Sequence, residues 1–212
     1  MPDKRPRMFI ALLHFPVYNK AREIVTTSLT TLNLHDLARL AATYGTLGCY
    51  VVTPLRAQQD VARRMIEHWT RGYGATYNPT RAEALQYIHV VDQLEDVAQD
   101  IAQRYGIVPA MVATDARHFP QCISYSALRQ LIWQEGHAFL LLLGTGWGLT
   151  EEVMTRCAYI LAPVYGVTSF NHLPVRIAAG IMLDRLLGQP DALGASSALV
   201  LCDTKGQTAC IR

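Results

Sequence analysis

Short apolar runs alternate along the chain with longer segments in which apolar residues recur every three or four positions. The runs at residues 8–14, 49–53, 87–91, 110–114, 138–143 and 159–161 predict six strands. Several are continuously apolar rather than alternating, as parallel strands covered on both faces are. Between them a helical period predicts helices over 34–44, 55–69, 94–105, 125–134 and 174–187, with a shorter one at 79–85. Asn33 reads as the cap of the first helix and Gly45 as its terminator. Gly106 closes the helix at 94–105, and the last helix carries Pro174 in its first turn and Gly188 past its end. Strand and helix alternating in this way predict one α/β domain with a mostly parallel sheet and helices on both faces. No internal repeat or linker interrupts residues 1–188. The pattern lapses in 189–212, a C-terminal extension with a Gly/Ser/Ala stretch and a candidate strand at 198–202.

Composition narrows the function classes. Of 212 residues, 50% are hydrophobic and 17% charged, which excludes disorder and supplies a core that needs no disulfide or metal. The formal net charge of +2 announces neither a strongly basic nucleic-acid binder nor an acidic surface. Lysine occurs only at Lys4, Lys20 and Lys205, so the basic side is nearly all arginine, suited to forked contacts with phosphates. Five scattered cysteines form no CxxC pair, and the histidines show no metal-ligand spacing; no metal is expected, and free thiols in a reducing cytoplasm are. The apolar run at 138–143 is far shorter than a membrane helix, so no membrane partner is expected. Lys4, Arg5 and Arg7 before a short apolar stretch imitate a signal peptide. Pro16 ends that stretch without a cleavage site, and the reading is the first strand of a cytoplasmic protein.

In parallel sheets ligands sit beyond the carboxyl ends of strands, which marks out 14–20, 53–54, 92, 115–117, 144–150 and 162–173. Three segments carry unusual chemistry. Leu143-Gly144-Thr145-Gly146-Trp147-Gly148-Leu149-Thr150 follows the most apolar strand, and its alternate glycines allow a tight turn and close approach to a ligand. It matches neither the dinucleotide fingerprint nor a phosphate-binding P-loop. Ile160-Leu161-Ala162-Pro163-Val164-Tyr165-Gly166 runs on to Phe170-Asn171-His172-Leu173-Pro174-Val175-Arg176. Adjacent to the glycine loop, it would close a narrow cleft fit for a nucleoside. On the first helix His35, Arg39 and Thr43 form a polar stripe, in which Asp36 pairs with Arg39 or with the helix N-terminus if the stripe is merely solvated.

These segments, in this order, resemble the three motifs of the SPOUT (SpoU-like) RNA methyltransferases. With His14-Phe15-Pro16-Val17-Tyr18-Asn19-Lys20 and the 33–45 segment, they look like one bacterial subfamily across about residues 8–188. The resemblance implies an α/β fold with a C-terminal trefoil knot, a homodimer, and S-adenosyl-L-methionine as methyl donor. It assigns Gly144, Thr145 and Gly146 to the donor's methionine or ribose portion. Leu161, Pro163, Asn171, Leu173 and Val175 fall around its adenine, and Thr53, Leu142 and His172 join the cofactor-binding set. Arg39 matches the arginine near the transferred methyl group and is the expected catalytic residue. The chain departs from the family in lacking a glutamate within the glycine loop, Glu151 and Glu152 lying beyond it. The segment after Asn171 is also one residue longer.

Methyl transfer from a sulfonium needs alignment and, for a hydroxyl or ring N–H, a base. Arg39 stays protonated, so its expected task is to grip a phosphate or stabilise a developing oxyanion. His14, His35 and Asp115 are the candidate bases. His14, Asn19 and Arg117 are candidate substrate contacts, with Lys20, Arg22 and the N-terminal Lys4, Arg5 and Arg7 also placed to meet RNA phosphates. The expected function is transfer of methyl groups to RNA, tRNA foremost, at a ribose 2'-hydroxyl or a base nitrogen. The alternative is a dimeric module that binds S-adenosylmethionine or RNA without turnover, favoured by the missing glutamate and opposed by Arg39 and Asn171. A nicotinamide-dependent oxidoreductase is a third reading, opposed by the fingerprint mismatch.

Overall fold

The computed structural model describes residues 6–134, 136–189, 199–202 and 208–211. Strands β1 (Arg7–Leu13), β4 (Gly48–Val52), β5 (Ile88–Val91), β6 (Ala110–Thr114), β7 (Cys122–Ile123), β8 (Ala138–Gly144) and β9 (Tyr159–Leu161) form one parallel sheet. Its order is β5-β4-β1-β8-β6-β9-β7. A two-strand hairpin of β2 (Val17–Tyr18) and β3 (Ile24–Val25) follows β1. Helices α1 (Thr31–Tyr44), α2 (Arg56–Thr70), α3 (Tyr73–Tyr77), α4 (Pro79–Leu85), α5 (Leu94–Tyr105), α6 (Tyr125–Ile132), α7 (Glu151–Thr155) and α8 (Val175–Leu187) connect the strands. A second hairpin, β10 (Leu199–Cys202) with β11 (Thr208–Ile211), lies in the extension, where Ala198 of the expected strand is outside the described residues.

All six expected strands form, because each is apolar on two faces and both faces are covered. Met8, Ile10 and Leu12 of β1, with Phe139, Leu141 and Leu143 of β8, pack under α1, α4, α6 and α8. The alternate residues Phe9, Ala11, Leu13, Leu140 and Leu142 pack under α5 and α7. The expected helices also form, with shifts at their ends. Thr30, not Asn33, caps α1. Its hydroxyl accepts the Asn33 N–H at 3.3 Å, and Asn33 is buried one turn inside the helix. The threonine lies one turn ahead of the apolar stripe, where a cap must lie to leave Leu34 and Leu37 fully helical. Gly45 and Gly106 end α1 and α5 at φ 65°, the left-handed geometry expected of them. Pro174 stands just before α8 as its cap rather than in its first turn.

The sequence pattern misses β2, β3, β7, β11, α3 and α7. Each spans only two to five residues, too short to show a period. Cys49, Cys122 and Cys157 are free thiols, burial pushing Cys49 up to about 12 and Cys157 up to about 11. No helix among the described residues is long and apolar enough to cross a membrane.

Leu141 is fully buried at the middle of the central strand. Truncation to alanine is expected to cost about 3 kcal/mol of unfolding free energy. The exposed Val61→Ala on α2 should change it by less than about 0.5 kcal/mol. Urea titration of both variants checks the contrast, and equal losses would show that the sheet centre does not carry the fold.

Candidate cofactor and substrate site

At the carboxyl end of β8 the backbone must leave the sheet beside β1, whose Leu13 is in register with Gly144. The space is narrow. A Cβ on Gly144 would stand 2.9 Å from the Leu149 amide nitrogen, and one on Gly146 would stand 2.8 Å from the Tyr18 carbonyl oxygen. Gly146 and Gly148 take φ values of 61° and 98°, which side chains other than glycine resist. The loop so formed is stitched to the β2 hairpin. Trp147 N–H donates to the Tyr18 carbonyl at 2.9 Å, Tyr18 N–H to the Gly148 carbonyl at 3.0 Å, and Val17 bridges Leu149.

Beneath the loop runs a chain of neutral hydrogen bonds. The Thr145 hydroxyl donates to the Leu13 carbonyl at 2.9 Å, and Thr145 Oγ1 contacts Thr27 Oγ1, which lies 2.9 Å from His14 Nδ1. A carbonyl only accepts, so the Thr145 proton is spent on Leu13 and the Thr27 proton points to Thr145. His14 must then donate from Nδ1, leaving a bare lone pair on Nε2. That atom is buried with no hydrogen-bond partner among the described residues. The alternative acceptor for Thr27, the His14 carbonyl, lies farther off at 3.5 Å. Burial pushes the imidazole down to about 4, so it is neutral at physiological pH. His14 is therefore corrected from substrate contact and candidate base to a wholly buried support of the glycine loop.

The two motif loops are not neighbours in the sheet: β6 lies between β8 and β9. The residues after β6 bridge them instead. Asp115 Oδ2 lies 3.3 Å from where a Gly148 Cβ would stand, and Asn171 Nδ2 donates to the Ala116 carbonyl at 2.6 Å. Asp115 is held by Arg117, whose Nε and Nη2 reach it at 3.0 and 2.8 Å, with the Arg117 amide at 2.7 Å. This carboxylate, its side chain only 5% exposed, raises the Arg117 pKa and is engaged as a structural acceptor, not as the free base first considered. Leu161 and Pro163 are buried at the end of β9, while His172 and Leu173 are exposed and Val175 packs partly into the core.

Several expected contacts lie elsewhere. Thr53 is buried, its hydroxyl within 3.4 Å of Gln58 Oε1 and the Leu55 amide, at the entry to α2. Leu142 is wholly buried in the sheet, so its side chain meets no ligand. Asn19 spends its amide inside its own turn, accepting from Ala21 and Glu23 N–H and donating to Glu23 Oε2. His35 packs edge to face on Trp69, and burial lowers its pKa. Asp36 pairs with Arg176 at 2.8 Å rather than with Arg39. Arg39 is exposed and lines a groove of about 410 Å³ between α1 and α8 with Thr43, Arg176, Ile177 and Gly180. It shares no hydrogen bond with the glycine loop among the described residues. Lys4 and Arg5 lie outside the described residues, while Arg7 opens β1 and is exposed, as is Lys20.

Sequence reasoning overlooked Thr27, Tyr18 and Trp147. Nothing in the sequence placed Thr27 or Tyr18 against a loop some 120 residues later. Trp147, an indole between two glycines after an apolar strand, is 58% exposed and carried a visible signal.

The arrangement suits a nucleoside donor. Buried Leu161, Pro163 and Val164 offer an apolar floor, Tyr165, Val167 and Phe170 are exposed above it, and Gly166 faces open space. Among the described residues no backbone N–H from 164 to 169 donates within the chain, leaving donors for a purine edge. No group of three potential metal ligands occurs among the described residues.

Comparison with known proteins shows the family and the fold. Residues 7–188 match the model of a family described as SAM-dependent RNA methyltransferase. A protein of Aquifex aeolicus, described only as uncharacterized, is 42% identical over 182 residues, 86% of this chain and 89% of that protein. A tRNA (guanine-N(1)-)-methyltransferase of Nitratidesulfovibrio vulgaris is 43% identical over 181 residues, 85% of this chain but only 42% of the longer relative. Among solved structures, the SpoU methyltransferase AviRb of Streptomyces viridochromogenes, in complex with AdoMet, superposes with a TM-score of 0.51. The two chains are 16% identical, over 88% of this chain and 60% of that one, a likeness of fold alone.

The buried imidazole generates a pH prediction. Its folded pKa is below the unfolded value of 6.5, so the unfolded chain takes up the proton first. The contribution of neutral His14 is complete above about pH 6.5 and is lost as pH falls from there toward 4, by on the order of 3 kcal/mol. Urea unfolding across that window should fall more steeply for the parent protein than for His14→Asn, which keeps an N–H donor near Nδ1 without a titrating ring. Parallel profiles would refute the assignment.

Proposed function

The chain belongs to the SAM-dependent RNA methyltransferase family, and we propose that it methylates tRNA in the cytoplasm as a homodimer. The observation that carries the reading is the meeting of three loops at the carboxyl end of the sheet. The glycine loop after β8 and the Pro163–Asn171 loop after β9 both reach the residues after β6, Asp115 lying beside Gly148 and the Ala116 carbonyl accepting from Asn171. Gly144, Thr145 and Gly146 would border the methionine and ribose portion of S-adenosylmethionine, and Leu161, Pro163, Asn171, Leu173 and Val175 the adenine. Bound there, the donor supplies a methyl group on a positively charged sulfur, open to in-line displacement.

The chain's own residues orient that step. The glycine loop, hydrogen-bonded to the β2 hairpin, and the Asn171–Ala116 bond would hold donor and acceptor in line, and such positioning supplies a large part of the rate gain of a displacement. The neutral His14 beneath the loop places no second cation near a sulfonium. The tRNA assignment is supported by the Nitratidesulfovibrio relative, described as a tRNA (guanine-N(1)-)-methyltransferase. Since this chain spans 42% of that protein, its guanine-N1 specificity belongs to the longer protein and is not carried over.

The dimer is supported by the α1–α8 face, where Ile177 is 47% exposed beside the groove that holds Arg39, and Leu173 is 42% exposed just before α8. Two copies joined through this face would enclose Arg39, whose guanidinium then grips a substrate phosphate or a developing oxyanion rather than acting as a base. The return of α8 to the face that carries α1 and α6, after β9 has paired beyond β6, supports a trefoil knot in the C-terminal passage.

Calorimetric titration with S-adenosylmethionine should show one site per protomer, followed by tritium transfer from the labelled donor into unmodified tRNA. Arg39→Ala should lower turnover by on the order of 100-fold with donor affinity within twofold. Ile177→Asp should shift sedimentation from dimer to monomer. Donor binding without transfer to any tRNA would remove the tRNA assignment, and loss of donor binding in Arg39→Ala would reverse the role given to that arginine.

A further inference from the structure

The glycine loop carries a side chain that neither the fold nor the donor pocket uses. Trp147 is 58% exposed although an indole is among the largest apolar groups a chain can leave in water. Its backbone is not free to turn it inward. The flanking glycines hold φ values of 61° and 98°, and Trp147 N–H is tied to the Tyr18 carbonyl. The indole is thus presented on a rigid base, which lowers the ordering cost of binding anything to it.

Beside it stands a cation with a loose partner. Arg22, in the left-handed conformation at φ 65°, lays its guanidinium 4.0 Å above the Tyr18 ring. Tyr18 is the residue that pairs with Trp147 and Gly148, so the guanidinium borders the same loop. Its ion pair with Glu151 is long, at 3.4 Å, and Glu151 is 83% exposed. Such a pair contributes little and exchanges readily for a phosphate. A nucleotide receiving a methyl group must bring its acceptor atom within about 3–3.5 Å of the donor's methyl carbon, hence against this loop.

We propose that the Trp147 indole is the platform on which a base of the substrate RNA stacks, while Arg22 leaves Glu151 to hold the adjoining phosphate. The inference rests on the reading that the glycine loop borders the methyl donor. Stacking on an aromatic face accepts any base, so Trp147 supplies affinity and position, and sequence choice falls to other contacts. Glu151 competes with the phosphate for Arg22, which gives the two charged residues opposite effects on RNA binding.

The test uses the full chain, S-adenosylmethionine and unmodified tRNA transcripts, with donor affinity, RNA KM, kcat and tryptophan fluorescence measured separately. Trp147→Ala should raise the RNA KM about tenfold and leave donor affinity within twofold, and Trp147→Phe should restore most of the loss. RNA should quench tryptophan emission in the parent protein and not in Trp147→Phe. Arg22→Ala should weaken RNA binding severalfold, whereas Glu151→Gln should tighten it. An unchanged RNA KM in Trp147→Ala overturns the proposal. So does loss of donor affinity in its place, which would assign the indole to the cofactor, or a shift in sedimentation, which would assign it to a protein interface. If the parent protein binds no donor, the methyltransferase site fails, while quenching and RNA affinity still decide whether Trp147 stacks on RNA.

Discussion

Strand β8 sits between β1 and β6 with its side chains buried on both faces, and no part of it can turn toward water. The chain can therefore leave the sheet only at Gly144, into a gap already bounded by the end of β1 and by the β2 hairpin. That constraint makes the loop compact, demands glycine where side chains would strike Leu149 or Tyr18, and lets backbone pairing with the hairpin fix its shape. The site follows from how the central strand ends. It does not require a flexible loop to find its form around a ligand.

The electrostatics divide along the same boundary. Under the loop the contacts are neutral hydroxyls and a neutral imidazole, whose proton positions follow from the Leu13 carbonyl that accepts the Thr145 hydroxyl. At the rim the charges are paired: Asp115 with Arg117 firmly, Glu151 with Arg22 loosely. A pocket for a sulfonium gains from the first arrangement, since a buried imidazolium would oppose the ligand's own charge. Recognition of a polyanion gains from the second, because exposed pairs open at small cost.

The α1–α8 face presents a different chemistry. Apolar Leu40, Ile177 and Ile181 border a groove with Arg39, and the Asp36–Arg176 pair ties the two helices together. Gly180 lies close to Leu40 and lets the helices approach. The rim of the glycine loop meets solvent as charge and indole, and this face meets it as aliphatic surface.

The amino-acid sequence by itself determined the class of fold and marked the loops proposed here as the site. Continuous apolar runs can be strands only if both faces are covered, and helical periods between them leave parallel pairing as the consistent arrangement. Glycine at alternate positions after β8 and proline after β9 marked the loops, because these residues act through local backbone geometry. Asn171 and Arg117 were legible as polar groups at strand ends, though not what they bind. Only the tertiary structure decided the strand order, which placed β6 between the two motif loops and made Asp115 and Ala116 the bridge. It also withdrew His14, Thr53 and Leu142 into the interior, spent Asn19 on its own turn, and set Arg39 on a separate face. Burial and partnership arise between segments far apart in the chain, and a one-dimensional pattern holds no record of which strands will stand side by side.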